Sequence, residues 1–128
     1  MEYKKLTHSI IGCAYKVYNT LGFGFLESVY HKAMIIELAK ADIKVESEKP
    51  LQVFYEKHIV GEFKADLFVE DNIVVELKSL ERLSKAHEVQ LVNYLNALNK
   101  EFGLLINFGS NRVEVKRKFR QGIAHCES

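Results

Sequence analysis

The sequence predicts a mixed α/β fold, in which helices pack on a mixed β-sheet. Two observations support it: apolar residues recur at helical spacing in three stretches, and strand-type segments fill the middle and the end of the chain. A third is that the last helical stretch lies between two strands, as a crossover connection does. No repeat, low-complexity stretch or linker interrupts the 128 residues, so we expect one domain spanning residues 1–128.

Three helices are predicted. Residues 6–20 have helical apolar spacing, with Thr7 as the expected cap, and Gly22-Phe23-Gly24 ends this helix. A second helix is expected from about Phe25 to Ala41, and a third over residues 82–99.

Five strands complete the predicted sheet. Pro50 opens the first of them, and short polar turns separate the first three. The order α-α-β-β-β-α-β-β predicts an antiparallel meander, a crossover helix and a further pair of strands. In chain order the predicted strands span residues 51–56, 59–70, 73–79, 103–109 and 112–119.

Composition excludes several classes of protein. Apolar residues make up 48% and charged residues 27%, which is typical of a soluble globular protein, and no apolar run is long enough for a membrane span. Polar residues interrupt the N-terminal stretch, which argues against a signal peptide. The only two cysteines, Cys13 and Cys126, are too few for a disulfide framework or a cysteine zinc site, so we expect a cytoplasmic protein with reduced thiols.

The net charge of +1 is uninformative, but basic residues cluster in RVEVKRKFRQ near the C-terminus. This segment has two interpretations: a surface that neutralises phosphates, or an edge strand that charge protects from aggregation.

The third predicted strand carries charges within an apolar run. Because strand side chains alternate, Glu76 and Lys78 share one face. On the preceding strand Asp66 is expected to share a face with Lys64 and Phe68, and pairing about the intervening turn sets Asp66 opposite Glu76 within one or two positions. Two carboxylates and an ammonium group are thus predicted to converge on the sheet.

This convergence has a chemical rationale. Two neighbouring carboxylates repel unless a divalent cation neutralises them, and hard oxygen ligands suit Mg²⁺ or Mn²⁺. Such a metal acidifies a water and stabilises charge on a reacting phosphate, while Lys78 would hold the attacking water. The alternative is a cross-strand ion pair on a solvated face, because Asp and Glu-x-Lys combinations arise easily by chance.

Three motifs together resemble a known family. Asp66 followed by Glu76-Leu77-Lys78 resembles the PD-(D/E)XK nuclease superfamily. The segment Gly24-Phe25-Leu26-Glu27-Ser28-Val29-Tyr30 resembles the motif that names the GxxExxY family of small proteins in that superfamily. The segment Gln90-Leu91-Val92-Asn93-Tyr94 is similar to the QxxxY motif of RecB-like nucleases. The motifs occur in the family's order, over roughly residues 6–109.

The resemblance implies a PD-(D/E)XK nuclease-like fold and a Mg²⁺- or Mn²⁺-dependent nuclease that acts on DNA in preference to RNA, without a membrane association. It implies metal ligation by Asp66, Glu76, Glu27 and the Leu77 carbonyl, and catalytic or substrate-positioning roles for Asp66, Glu76, Lys78, Glu27, Gln90 and Tyr94.

Each transfer has a plainer alternative. Glu27 also suits the first turn of a helix, where the dipole favours a carboxylate. Gln90 and Tyr94, four residues apart, also suit a polar face where the helix meets the sheet. For His87, a packing or supporting role is favoured over metal ligation. The sequence departs from the family pattern at Lys64-Ala65, where the superfamily has proline, and at Phe23, where GxxExxY members commonly have it.

Two other functions stay open. The first alternative is a catalytically silent nuclease-like module that binds nucleic acid or protein. The second is a metal-binding regulatory subunit. A domain of this size has little room for a separate recognition element, so specificity is expected from the basic C-terminal strand, from loops or from a partner, and a homodimer is expected.

Overall fold

The computed structural model describes residues 3–120, in which three helices pack against one five-stranded sheet. The mixed α/β class is therefore confirmed. The elements are α1 (Tyr3–Leu21), α2 (Glu27–Lys40), β1 (Val45–Tyr55), β2 (His58–Val69), β3 (Ile73–Lys78), α3 (Lys85–Leu98), β4 (Phe102–Phe108) and β5 (Val113–Phe119).

The strands lie side by side in chain order, from β1 to β5. All neighbours are antiparallel except β3 and β4, which α3 connects in parallel. The predicted meander and crossover helix are confirmed, and β5 is an edge strand as expected.

Two local expectations are wrong. Thr7 does not cap α1, because the helix already begins at Tyr3 and Thr7 is buried inside it. The first strand begins at Val45, well before Pro50. Proline is tolerated within β1 because that strand forms the sheet edge, where a missing N–H need not break a ladder bond.

Alternation along β3 divides the core into two layers. Ile73, Val75 and Leu77 belong to the cluster that includes α1 and α2. Val74 belongs to the cluster that includes α3. The two helical layers therefore cover opposite faces of the sheet.

This alternation changes phase at Asp66. Leu67 packs with α1 and α2, whereas Ala65, two residues away, packs with α3. Across the strand pair, Glu48 adopts a left-handed φ of 55°, and the regular pairing skips Glu48 and Asp66. The prediction that Asp66 shares a face with Lys64 and Phe68 by simple alternation is therefore wrong, because both strands are distorted at this point.

The β1–β2 hairpin extends beyond the rest of the sheet. β2 pairs with β1 over most of its length, but with β3 only through Leu67–Val69. A two-residue turn at Glu56 and Lys57, both with positive φ, closes the hairpin. Its outer part is consequently free to border a cleft on the α3 side.

Membrane crossing and cysteine pairing can be considered only for residues 3–120. Of the helices in residues 3–120, none combines the length and apolar character that crossing a membrane requires. Cys13 is a buried free thiol, and Cys126 lies outside the described residues.

Candidate active site

Asp66 and Glu76 meet where β2 and β3 separate. The Asp66 N–H donates to Oε2 of Glu76 at 2.9 Å, and the Leu77 N–H donates to Oδ2 of Asp66 at 2.7 Å. These bonds continue the β2–β3 ladder, which otherwise ends at Leu67 and Val75. The two carboxylates thus replace backbone carbonyls as partners, and the predicted convergence of Asp66 with Glu76 is observed.

Both carboxyl groups resist ionisation. Glu76 is 4% exposed, and burial, with a further contribution from the Asp66 charge, raises its pKa to about 8. Burial also raises the pKa of Asp66, although the Leu77 N–H bond and the nearby His31 and Lys78 oppose the shift. Among residues 3–120 neither carboxylate forms a salt bridge. The pair is therefore an acidic site that no salt-bridged cation of residues 3–120 neutralises.

Lys78 ends β3 and is half-buried. Its charge lowers the pKa of both Asp66 and Glu76, although less strongly than burial raises them. The ammonium group thus interacts electrostatically with both carboxylates and forms a salt bridge with neither.

Glu27 is the first residue of α2, so it occupies the first turn as predicted. It faces a cavity of about 220 Å³ that also borders Asp66 and Leu77. The Glu27 charge is one of those that raise the pKa of Glu76. Glu27 therefore shares a cavity with Asp66, and its charge acts on Glu76.

Two residues of this cavity were missed by the sequence analysis. His31 lies one turn after Glu27, and its Nε2 is 2.8 Å from Oγ of Ser47. Its i,i+4 spacing from Glu27 was a usable signal. Glu48 also lines the cavity and raises the pKa of Asp66. No pattern indicated Glu48, because the strand that carries it was predicted to start after Pro50.

Tyr30 organises the loop that leads to Glu27. Its ring stacks on Phe108 with 4.4 Å between ring centroids, and its hydroxyl donates to the Gly22 carbonyl. The same hydroxyl accepts the Phe25 N–H at 3.4 Å. Gly24 in this loop has a φ of 115°, which side chains disfavour. Gly24, through its positive φ, and Tyr30, through its hydroxyl, therefore shape the loop that leads to α2.

Asn107 holds the segment that follows Lys78. Its side chain is fully buried, donates to the Leu80 carbonyl at 2.9 Å and accepts the Leu80 N–H at 2.8 Å. It also donates to Glu114 at 2.8 Å. Ser79 donates to the Phe25 carbonyl at 2.6 Å, which ties this segment to the loop before α2.

Tyr94 and Gln90 lie on α3, on the other side of the sheet from α2. Tyr94 is 8% exposed, and its pKa is raised by burial and then by the Glu76 and Asp66 charges, so it lies near the acidic pair. Gln90, one turn earlier, shares a cleft with Tyr94. His87 instead accepts the Ser84 N–H at 3.1 Å and caps α3, in line with the expected supporting role.

The donor chemistry fits a divalent cation, although no finished metal centre is present. Within residues 3–120, no three or more His, Cys, Asp or Glu side chains are gathered to hold a metal ion. However, Glu76 is a buried carboxylate and Asp66 a half-buried one, both with raised pKa values. Within residues 3–120 neither forms a salt bridge, and each has an oxygen without a hydrogen bond. A hard divalent cation would relieve their repulsion.

Comparison with known proteins places the chain in a family. No curated protein matches it. The crystal structure of SSO0001 shares the fold, with a TM-score of 0.56 and 20% identity over 93% of this chain. The chain spans 59% of that protein's length. The family model of the PD-(D/E)XK nuclease superfamily matches residues 4–118. The chain therefore belongs to the PD-(D/E)XK nuclease superfamily.

Proposed function

We propose that the protein is a divalent-metal-dependent nuclease that hydrolyses phosphodiester bonds of DNA, with RNA as the less favoured substrate. The observation that carries this proposal is the reciprocally hydrogen-bonded pair of the half-buried Asp66 and the buried Glu76, where β2 and β3 separate and β3 continues to Lys78. A buried Glu76 next to a second carboxylate, with no salt bridge to either within residues 3–120, is costly to a fold, and a nuclease site gives the pair a use.

The metal ligands in this proposal are Asp66, Glu76, Glu27 and the Leu77 carbonyl, with Mg²⁺ or Mn²⁺ as the ion. When bound, the ion would acidify the attacking water and stabilise the charge that develops on the scissile phosphate. Support comes from the Glu27 cavity, which also borders Asp66 and Leu77.

The remaining residues act on water and substrate. Lys78 orients the attacking water and contacts the phosphate, since its charge already reaches both carboxylates. Gln90 and Tyr94 position the substrate strand from the α3 side, next to a cleft that they share.

Membership of the GxxExxY family is part of the proposal. It is supported by the role of Tyr30, whose hydroxyl contacts both Gly22 and Phe25 and so fixes the loop before Glu27. Gly24 supplies the positive φ of the same loop, and Glu27 follows as the first residue of α2.

We further propose that residues 1–128 form one domain and that the protein is a cytoplasmic homodimer. A twofold partner would let two small domains act on the two strands of a duplex. Reduced thiols suit the cytoplasm, and Cys13 is a buried free cysteine.

A second candidate is a catalytically silent module that binds nucleic acid. Two observations favour it: Asp66 and Glu76 each accept a hydrogen bond from a backbone N–H, as structural carboxylates do, and residues 3–120 contain no group of three or more side chains that could hold a metal ion.

A cleavage assay separates the two. Supercoiled plasmid, single-stranded DNA and RNA are incubated with the protein in Mg²⁺, in Mn²⁺ or in EDTA. We expect cleavage with metal only, and a loss on the order of 10²- to 10³-fold or more in Lys78→Ala and Glu76→Gln. The matched control is Lys5→Ala, which removes an exposed lysine of α1.

Circular dichroism should show that all three variants fold. Cleavage that survives EDTA or Lys78→Ala would contradict the nuclease proposal. DNA retention that is salt-sensitive, indifferent to EDTA and accompanied by no cleavage would establish the silent module instead.

A further inference from the structure

A cleft of about 800 Å³ lies between the outer part of the β1–β2 hairpin and α3. This volume is in the range of about 300–1,000 Å³ that is usual for small-ligand sites. None of the charged side chains in residues 3–120 lines it. Three aromatic rings and four amides line it, contributed by Phe54, Phe63, Tyr94, Gln52, Gln90, Asn93 and Asn96.

Two of the three aromatic rings are exposed to solvent. Phe54 is 57% exposed and Phe63 is 46% exposed, while Tyr94 forms the buried base of the cleft. The Phe63 and Tyr94 ring centroids are 5.7 Å apart. A Cβ at Gly61 would lie 2.8 Å from the Phe63 ring, so this glycine leaves the space that the ring occupies. Exposed rings held in this way offer stacking surfaces to a planar ligand.

The amides add hydrogen-bonding capacity beside the rings. The side chains of Gln52, Gln90 and Asn93 form no hydrogen bond within residues 3–120. Each amide offers a carbonyl acceptor and two N–H donors. A nucleobase has the matching properties: two flat faces for stacking and an edge with both donors and acceptors.

Cationic groups lie next to the cleft rather than in it. An adjoining depression shares Phe54 and Phe63 with the cleft and is lined by Lys49 and Lys64, together with the acidic Glu62. Lys64 pairs with Glu48 at 3.8 Å, but both side chains are largely exposed, so this pair is cheap to break. Phosphates could therefore follow the lysines while a base enters the cleft.

We propose that this cleft binds an unpaired nucleobase of the substrate strand, so that the substrate class is nucleic acid with single-stranded or frayed bases. The inference rests on the proposed nuclease function, because Gln90 and Tyr94 belong both to the cleft and to the candidate active site. In a duplex the base faces are stacked and the edges are paired, so the rings and amides gain access only to an unpaired base.

Tryptophan fluorescence tests this directly, because the chain contains no tryptophan. Phe63→Trp places a single reporter in the cleft, and Tyr15→Trp places one on α1 at a position that is also 46% exposed. Both variants are titrated in EDTA with a single strand, with the blunt duplex of the same sequence, and with a strand of equal length that carries abasic sites. DNA and RNA versions distinguish the two sources of unpaired bases.

We expect saturable quenching by the single strand in Phe63→Trp but not in Tyr15→Trp, and binding roughly five- to a hundredfold weaker for the abasic strand. In the otherwise natural chain, Phe63→Ala should weaken single-strand binding by a similar factor in fluorescence polarisation. Phe63→Tyr, which keeps the ring, and Tyr15→Ala should not weaken it.

Equal affinity for the abasic strand, or equal quenching by the duplex, would overturn the inference. The inference would also be overturned if the fluorescence of Phe63→Trp were quenched by raising the protein concentration without nucleic acid while sedimentation showed a dimer. The cleft would then be a contact between two copies of the chain. Base-dependent quenching without any cleavage would leave this site standing and refute the nuclease proposal. Cleavage combined with base-independent binding would do the reverse.

Discussion

The α1–α2 layer and the α3 layer cover opposite faces of one sheet, and each contains the tyrosine of a motif. Tyr30 on α2 is fully buried, stacked on Phe108 and hydrogen-bonded at its hydroxyl. Tyr94 on α3 is 8% exposed, and its hydroxyl forms no hydrogen bond within residues 3–120. The two motif tyrosines thus differ at the hydroxyl group: that of Tyr30 is hydrogen-bonded, and that of Tyr94 is not hydrogen-bonded within residues 3–120.

The two layers contribute differently to the protein: one mainly stabilises the fold, and the other leaves surface open for binding. Within the described chain, seventeen buried residues form the cluster with α1 and α2, and eight form the cluster with α3. The larger cluster fixes the loop before Glu27 and supplies most of the apolar burial that stabilises the fold. The smaller cluster leaves aromatic surface and a cleft open, which a binding site requires.

The largest expected effect comes from breaking the α1–α2 layer at Tyr30. Tyr30→Ala leaves a cavity against Phe108 and removes both hydroxyl contacts, so we expect a loss of about 3–5 kcal/mol in the free energy of unfolding. Urea denaturation followed by circular dichroism measures it.

Tyr30→Phe is the matched variant, because it keeps the stacked ring and removes only the hydroxyl. It should cost about 1–3 kcal/mol, because the Gly22 carbonyl and the Phe25 N–H lose their partner. A change within about 0.5 kcal/mol, the range of ordinary surface substitutions, would show that the hydroxyl does not hold this loop.

The second largest expected effect is a pH dependence of stability, caused by Asp66 and Glu76 between the two helical layers. The pKa of Glu76 is raised to about 8 in the folded protein, above the ordinary value of 4.5. Between these two pH values the folded state retains a proton that the unfolded state has lost, so stability without metal falls as the pH rises. The raised pKa of Asp66 acts in the same direction. We expect a loss on the order of a few kcal/mol between pH 5 and about 8.5.

Urea titrations in EDTA across this range measure the slope. Glu76→Gln should flatten it and should be more stable than the natural protein at the alkaline end, since the buried charge is gone. Added Mg²⁺ should stabilise the natural protein at about pH 8 by mass action and have less effect on Glu76→Gln. An identical slope in both proteins would exclude Glu76 as the source.

The fold was largely predictable because most of its elements obey local rules. The order of elements, the crossover through α3 and the edge position of β5 follow from periodicity and turns. The start of β1 was missed because Pro50 normally delimits a strand, and only the edge position of β1 explains why it lies inside one. That fact belongs to the tertiary structure.

The site was predictable where motifs mark it and not where distortion builds it. The opposition of Asp66 to Glu76 follows from the turn between β2 and β3, and the position of Glu27 from helix phase. Glu48 was missed because the strand that carries it was predicted to begin only after Pro50, and its left-handed φ lies outside regular strand geometry. The cleft beside Phe63 was missed because β2 leaves β3 after three pairs, which no local signal records.

The smallest expected effect on stability, and the sharpest test of the contrast between layers, is Tyr94→Phe. Because the Tyr94 hydroxyl has no hydrogen bond within residues 3–120, we expect its removal to change the free energy of unfolding by no more than about 0.5 kcal/mol. Cleavage should nevertheless fall by roughly tenfold, corresponding to about 1.4 kcal/mol of transition-state stabilisation, because the hydroxyl lies near Asp66 and Glu76. The ring remains, so single-strand affinity should not change, and the loss should appear in kcat rather than KM. Tyr30→Phe, measured in parallel, should instead lower stability first. If Tyr94→Phe destabilised the protein as much as Tyr30→Phe and left kcat unchanged, the α3 layer would be as structural as the α1–α2 layer.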